Sequence, residues 1–199
     1  RESDVLIENF SAGVLERLGL GYEAMQKANP RLVYCALKGF LSGPYEQRVA
    51  LDEVVQMMGG LAYMTGPEGR PLRAGASVND VMGGLFGVVA IQAALWERQR
   101  TGKGTFVRSG LFENNMFLVA QHMLQYRQTG VPAVPMPERK SAWAIYDVFE
   151  TADDENIFVG VVSDKQWTQF CNAFDLDDLL QNEDLHSNAQ RVAQRESFM

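Results

Sequence analysis

From Val81 to Trp96 the chain carries no charged side chain, and this stretch constrains the fold more than any other. As a helix it would be apolar all round, which in a globular protein means burial on every face, so other elements must wrap it. The carboxylate on its N-terminal flank, Asp80, stands at the mouth in the run Gly75-Ala76-Ser77-Val78-Asn79-Asp80. Partial positive charge from unpaired backbone N–H groups favours an anion at such a place by about 0.3–1 kcal/mol. An Asn-Asp pair before an apolar run is also the ordinary signature of a helix N-cap. The position therefore reads in two ways, as a cap or as an ionised carboxylate held against a dry wall, which is a usable nucleophile. Gly83, Gly84 and Gly87 each cost about 1 kcal/mol against alanine in a helix interior. They point either to a tight helix crossing or to room for a ligand near the helix start.

With 199 residues and ordinary globular composition, the chain has the apolar mass for one or two domains. Its formal charge of −7 argues against nonspecific binding to nucleic acid, which needs a basic footprint. No apolar run is expected to reach bilayer length, because the 81–96 segment carries glycines and Gln92 and stops at the charged cluster Glu97–Arg100. The first apolar residues, Val5, Leu6 and Ile7, lie between acids and do not form a signal peptide. A cytoplasmic setting is expected, or the mitochondrial matrix in a eukaryote. Cys35 and Cys171 are isolated and read as reduced core residues. His122 and His186 are the only histidines, so a histidine-based metal site or triad has little to draw on and no metal is expected. The opening Arg1-Glu2-Ser3-Asp4 turns at once into a strand-like run, which reads as a piece of a longer protein.

Val5–Glu8 reads as a short strand, Val14–Leu18 and Tyr22–Ala28 as helical stretches ended by Asn29-Pro30, and Leu32–Leu37 as a second strand. Strand, helix, strand over so short a span implies a parallel crossover and hence an α/β layer. Ligands on such sheets sit beyond the carboxyl ends of the strands, which puts Asn9-Phe10 and Lys38-Gly39-Phe40 on the binding edge. Leu51, Val54, Val55, Met58 and Leu61 recur at helical spacing, followed by a Gly- and Pro-rich loop from Thr65 to Gly75. The long apolar helix ends at Arg98-Gln99-Arg100 with Gly102 beyond. A strand over Thr105–Arg108 and a helix over Glu113–Gln128 follow. Pro132, Pro135 and Pro137 mark an edge within Val131–Lys140, dividing residues 1–140 from 141–199. Ala144–Phe149 and Ile157–Val162 then read as a hairpin, and Ser163 with Gln166 as a capping box. The tail from Asn182 reads as loop followed by helix.

Several segments, taken together and in order, resemble the class III CoA-transferases, a family that includes formyl-CoA, carnitine CoA-transferase and α-methylacyl-CoA racemase branches. They include Asp4-Val5-Leu6-Ile7-Glu8-Asn9-Phe10, Leu15-Glu16-Arg17-Leu18-Gly19, Asn29-Pro30-Arg31-Leu32-Val33-Tyr34, Gly39-Phe40 with Gly43-Pro44, and Gly59-Gly60-Leu61. Asn79-Asp80, Arg100-Thr101-Gly102-Lys103-Gly104, Tyr146-Asp147-Val148-Phe149 and Gln166-Trp167 continue the series. Each is weak alone, but their joint order across nearly the whole chain is specific. The resemblance implies a Rossmann-like large domain with parallel strands and buried helices, holding residues up to 140, and the start of a smaller α+β domain. It also implies a longer subunit and an interlaced homodimer.

By resemblance, Asp80 is the catalytic aspartate, attacking an acyl-CoA thioester to give an aspartyl mixed anhydride and then an aspartyl-CoA thioester that a carboxylic acid resolves. Asn9, Phe10, Arg17 and Lys38 match family positions lining the CoA site, where a diphosphate, a ribose phosphate and an adenine ask for cations and a stacking or apolar surface. Read on their own, Arg17 is a solvated helix residue, Phe10 a core residue, and Arg48 and Arg73 exposed cations. Glu53 lies where the formyl-CoA branch has a glutamate near its active site, although capping a helix explains Asp52 and Glu53 equally well. The implied ligands are acyl-CoA as substrate and a small organic acid, with no tightly bound cofactor, nucleic acid or membrane. Leu51 stands where the racemase branch has histidine. Proton removal and return at an α-carbon needs two bases, and leucine supplies none. A racemase or a non-catalytic CoA-binding domain are the alternatives. The stretch Pro137–Trp143 lacks the glycines of the formyl-CoA branch's covering loop, which points to an acid other than oxalate.

Overall fold

A computed structural model describes residues 2–139 and 141–199. The chain forms two compact units, Arg1–Glu138 and Arg139–Met199. The first unit is built on three strands, β1 (Val5–Glu8), β2 (Val33–Lys38) and β3 (Phe106–Gly110), in the order β1-β2-β3 and all parallel. Val5 pairs with Val33, and Tyr34 with Phe106. Helices α1 (Val14–Arg17) and α2 (Tyr22–Ala28) make the first crossover. The second, longer crossover holds α3 (Asp52–Met58), α4 (Leu61–Thr65) and α5 (Val78–Thr101), and α6 (Leu111–Thr129) follows β3 directly. Parallel pairing needs such crossovers, and the central strand they produce is apolar on both faces. Val33, Tyr34, Cys35 and Ala36 are all buried.

The expected α/β layer is present, and its elements fall close to the positions their periodicity implies. The helix expected from residue 51 ends at Gly59-Gly60, as its spacing implies, and the short α4 follows it after Gly60, which takes the left-handed conformation at φ +83. Gly59 is required for a different reason. A Cβ placed there would come within 1.8 Å of the Asn115 side-chain nitrogen on α6, and Asn115 is fully buried.

The apolar helix differs from expectation in three ways. It starts at Val78 with Ser77 as N-cap, so Asp80 lies inside the first turn and not at the cap. Its 24 residues make it long and apolar enough to cross a membrane by length and composition, because its regular backbone runs past the apolar run at both ends. It lies instead against β2, β3 and α6. Nor is it buried on every face. Asn79, Gly83, Gly87 and Ala94 are covered, whereas Val81 is 67% and Trp96 73% exposed, because β2, β3, α6 and α3 cover only one side of a helix this long. Close packing at Gly87 is against the strand β2 and not at a helix crossing, while Gly84 faces open space. A Cβ at Gly87 would sit 2.8 Å from the Leu37 side chain, and one at Gly84 would meet nothing within 4 Å.

The second unit carries the antiparallel hairpin β4 (Tyr146–Glu150) and β5 (Asn156–Gly160), with Asp154 at positive φ in its turn. Helices α7 (Asp164–Ala173), α8 (Asp177–Gln181), α9 (Asn188–Ala193) and α10 (Arg195–Phe198) complete it. Its core gathers Ile145, Val161, Trp167, Cys171 and Leu185. The Ser163 hydroxyl caps α7 by accepting from Gln166 N, but the Gln166 amide oxygen accepts from Val162 N, so the full capping box forms instead at Ser187 and Gln190 on α9. Arg191, 3% exposed, donates to the carbonyls of Leu185 and His186, pairs with Asp164 and lies over the Trp167 ring.

Gly59→Ala is expected to destabilise the first unit by about 1–3 kcal/mol through overpacking against Asn115. Gly84→Ala should stabilise by up to about 1 kcal/mol through helix propensity alone. Urea midpoints of the two variants, measured side by side, should move in opposite directions, and a shared direction would refute this account of the two glycines.

Candidate active site

Because β1, β2 and β3 run parallel, their carboxyl ends share one edge, and α5 begins at that same edge. A cavity of about 400 Å³ opens there. Asn9 follows β1, Lys38 ends β2, Gly39 follows it and Leu111 follows β3, while Asp80, Gly83 and Gly84 come from the first two turns of α5. Three residues singled out from sequence, Asn9, Lys38 and Asp80, thus line one cavity. The open space at Gly84 is part of it.

Ser77 makes no side-chain capping bond to α5. The cap comes from α3. The Asp52 carboxylate, 6% exposed, accepts from Asn79 N at 2.7 Å and from Asp80 N at 3.4 Å through Oδ1. Its Oδ2 accepts from Gln56 Nε2 at 2.5 Å and lies 3.8 Å from the Arg73 guanidinium. Gln56, fully buried, accepts from Ala74 N at 2.7 Å in return. One acid and one amide, four residues apart on α3, therefore tie down both the incoming loop and the first turn of α5.

With the capping work done by a neighbour, the Asp80 carboxylate accepts no hydrogen bond among the described residues and opens on to the cavity. Its surroundings do not favour the ionised form in the way its place on the helix suggested. The nearby protein raises its pKa above the ordinary carboxylate value by desolvation first and by the Asp52 charge second, while Arg73 acts in the opposite direction. The residue is exposed as a whole, so this desolvation comes from crowding on one side and not from enclosure.

Lys38 lies on the cavity wall, but its ammonium is engaged. It stands 2.7 Å from both carboxylate oxygens of Glu8, itself 7% exposed, and donates to the Phe10 carbonyl at 2.5 Å. Glu8 also accepts from Phe10 N at 2.9 Å. Phe10 is 53% exposed, which overturns the reading of it as a core residue. Arg17 sits exposed in the last turn of α1 and does not line the cavity. Glu53 also lies off the cavity, exposed in the first turn of α3, where its carboxylate pairs with Arg73. Arg48 stacks 4.6 Å over the Tyr45 ring. Among the described residues no group of three His, Cys, Asp or Glu side chains is placed to hold a metal ion. Sequence reasoning missed the roles of Asp52 and Glu8. The i, i+4 spacing of Asp52 and Gln56 was the available signal for the first.

The family model for CoA-transferase family III matches residues 1–199. The chain is 34% identical over 197 residues to a succinate–glutarate CoA-transferase of Agrobacterium fabrum, covering 98% of this chain and 49% of that protein. It is 34% identical to an acetyl-CoA:oxalate CoA-transferase of Acetobacter aceti, covering 100% of this chain and 51% of the relative. A crystal structure of a CAIB/BAIF family protein from Brucella suis superposes with a TM-score of 0.84 at 34% identity, over 98% of this chain and 52% of the other. The chain thus spans about half the length of the curated relatives it matches. With the family model matching the whole chain and these relatives in agreement, the chain belongs to CoA-transferase family III.

Proposed function

We propose that the protein containing this chain moves CoA from an acyl-CoA donor to a carboxylic acid, with Asp80 as the nucleophile. The observation that carries this reading is the Asp80 carboxylate, which opens on to a cavity at the strand ends and accepts no hydrogen bond among the described residues. A carboxylate oxygen of Asp80 bonds to the thioester carbonyl carbon, the carbon–sulfur bond breaks, and CoA leaves as the thiolate. The thiolate then attacks the Asp80 carbonyl carbon of the mixed anhydride, releasing the donor acid as its carboxylate and leaving an aspartyl-CoA thioester. An acceptor carboxylate attacks that thioester to form a second anhydride with release of thiolate, and thiolate attack on the acceptor carbonyl returns Asp80 as a free carboxylate. Every step exchanges one good acyl leaving group for another, which suits a weak base.

Asn9 and Lys38 serve the mouth of the CoA site in this reading. Asp80 carries the chemistry. The relatives are named for succinate, glutarate and oxalate, all dicarboxylic acids, and this supports a dicarboxylic acceptor here. Leu51, at the N-cap of α3, brings no proton carrier to the site, which weighs against racemisation at an α-carbon.

Incubation of the complete protein with succinyl-CoA and hydroxylamine should leave a hydroxamate on the peptide carrying Asp80, read by mass spectrometry. Asp80→Asn should abolish it, and persistence of the adduct elsewhere in that variant would remove Asp80 from the mechanism. Exchange of deuterium into the α-carbon without any acceptor acid would favour the racemase instead. Because only ionised Asp80 attacks, trapping should disappear on acidification at a pH above the ordinary carboxylate range, in line with the raised pKa. The same shift has a stability consequence. A carboxyl with a raised folded-state pKa binds its proton more tightly when folded, so its contribution is lost as pH rises through that window. Asp80→Asn should therefore unfold at the same temperature as wild type, or higher, at neutral pH, and a clear loss of thermal stability there would contradict the assigned environment.

A further inference from the structure

We propose that Asp52 is a positioning residue for Asp80: its buried carboxylate, anchored by Gln56, holds the first turn of α5 so that the Asp80 carboxylate stands free at the cavity with a second negative charge behind it. The proposal rests on Asp80 being the nucleophile and names what prepares it.

The geometry gives Asp52 two jobs that one group seldom combines. As an acceptor for Asn79 N and Asp80 N it replaces the cap that Ser77 does not provide, so Asp80 need not fold back on its own helix. As a charge it acts on Asp80 through a short run of protein. A buried carboxylate that already satisfies two backbone donors and an amide is fixed in place, so its field at Asp80 has a fixed direction. The direction of the Asp80 pKa agrees, with Asp52 raising it and Arg73 lowering it.

The other charged groups around the site are otherwise engaged. Lys38 at the end of β2 is held by Glu8 from β1. Glu53 on α3 pairs with Arg73, and Glu113 on α6 accepts from Leu41 N. Asp52 and Arg73 act on Asp80 with opposite signs, and Arg73 shares its charge with Glu53.

Two consequences follow for the reaction. A carboxylate next to another carboxylate is more basic and so more nucleophilic. Acylation of Asp80 also removes one of the two neighbouring charges, so the repulsion that burdens the free enzyme is relieved in the anhydride and in the aspartyl thioester. The covalent intermediates are favoured by relief of a repulsion, with no new contact needed.

The test uses the complete protein and the isosteric Asp52→Asn, which keeps an acceptor oxygen for α5 and removes the charge. The carboxyl carbon of Asp80, identified by its loss in Asp80→Asn, is titrated by 13C NMR. Asp52→Asn is expected to lower its midpoint and to move the acidic limb of hydroxamate trapping to lower pH by the same amount. At neutral pH kcat should fall while KM for the acyl-CoA stays within about twofold, the split expected when transition-state stabilisation alone is lost. Asp52→Ala, which also removes the cap, should lose about 10²-fold in kcat through misplacement. Arg73→Gln, at an exposed residue, should raise the Asp80 midpoint and serves if neither Asp52 variant folds. An unchanged Asp80 midpoint in Asp52→Asn, or in Arg73→Gln, overturns the proposal, as does a loss confined to KM. Trapping retained in Asp80→Asn would instead overturn the nucleophile assignment and leave the titration result standing.

Discussion

The hydrogen bonds from the backbone of α5 to the Asp52 carboxylate are the constraint on which the rest of the site depends. A helix start left to itself recruits its own nearest polar side chain. Here the nearest acid, Asp80, is spared that task because another helix supplies the acceptor. Burial makes the arrangement firm, since a desolvated carboxylate that lost these donors would be strongly unfavourable. Gln56 closes the network toward the loop and leaves little freedom in how residues 74 to 80 approach the sheet edge.

The sheet contributes the second requirement, which is convergence. Three parallel strands deliver Asn9, Lys38 and Leu111 to one edge, and the long crossover returns α5 to that edge from the other side of β2. Gly87 lets α5 approach Leu37 and Cys35, and close approach is what sets the first turn beside the strand ends. The cavity is therefore a by-product of the parallel topology, and its chemistry depends on a few side chains at the termini of elements that would pack in the same way without them.

Much of this could be read from the residues. The parallel crossover followed from strand, helix and strand within a short span, and the strand-end rule placed Asn9 and Lys38 correctly beside Asp80. Of the two glycine readings for α5, close packing holds at Gly87, though against a strand and not a second helix, while Gly84 faces open space. What stayed hidden was of one kind. Asp52, Glu8 and Arg191 are buried charged residues whose partners are distant in sequence, and a charged letter in a polar stretch looks the same whether it faces water or caps a remote helix. Glu53 was singled out by the resemblance, and nothing in a linear pattern says that its neighbour Asp52 is the acid that turns inward. The exposed side of α5 was missed for a related reason, since periodicity reports that a helix is apolar and not how much surface the other elements can offer it.

The union of Lys38 with Glu8 alters how the cavity mouth meets a polyanion. A lone ammonium would draw a diphosphate from a distance, but this one already shares its field with a carboxylate held against it, and the couple presents a dipole in place of a net charge. Long-range attraction at that rim is therefore slight. Any anionic oxygen that reaches the Lys38 ammonium must compete for its N–H donors against the Glu8 carboxylate and the Phe10 carbonyl.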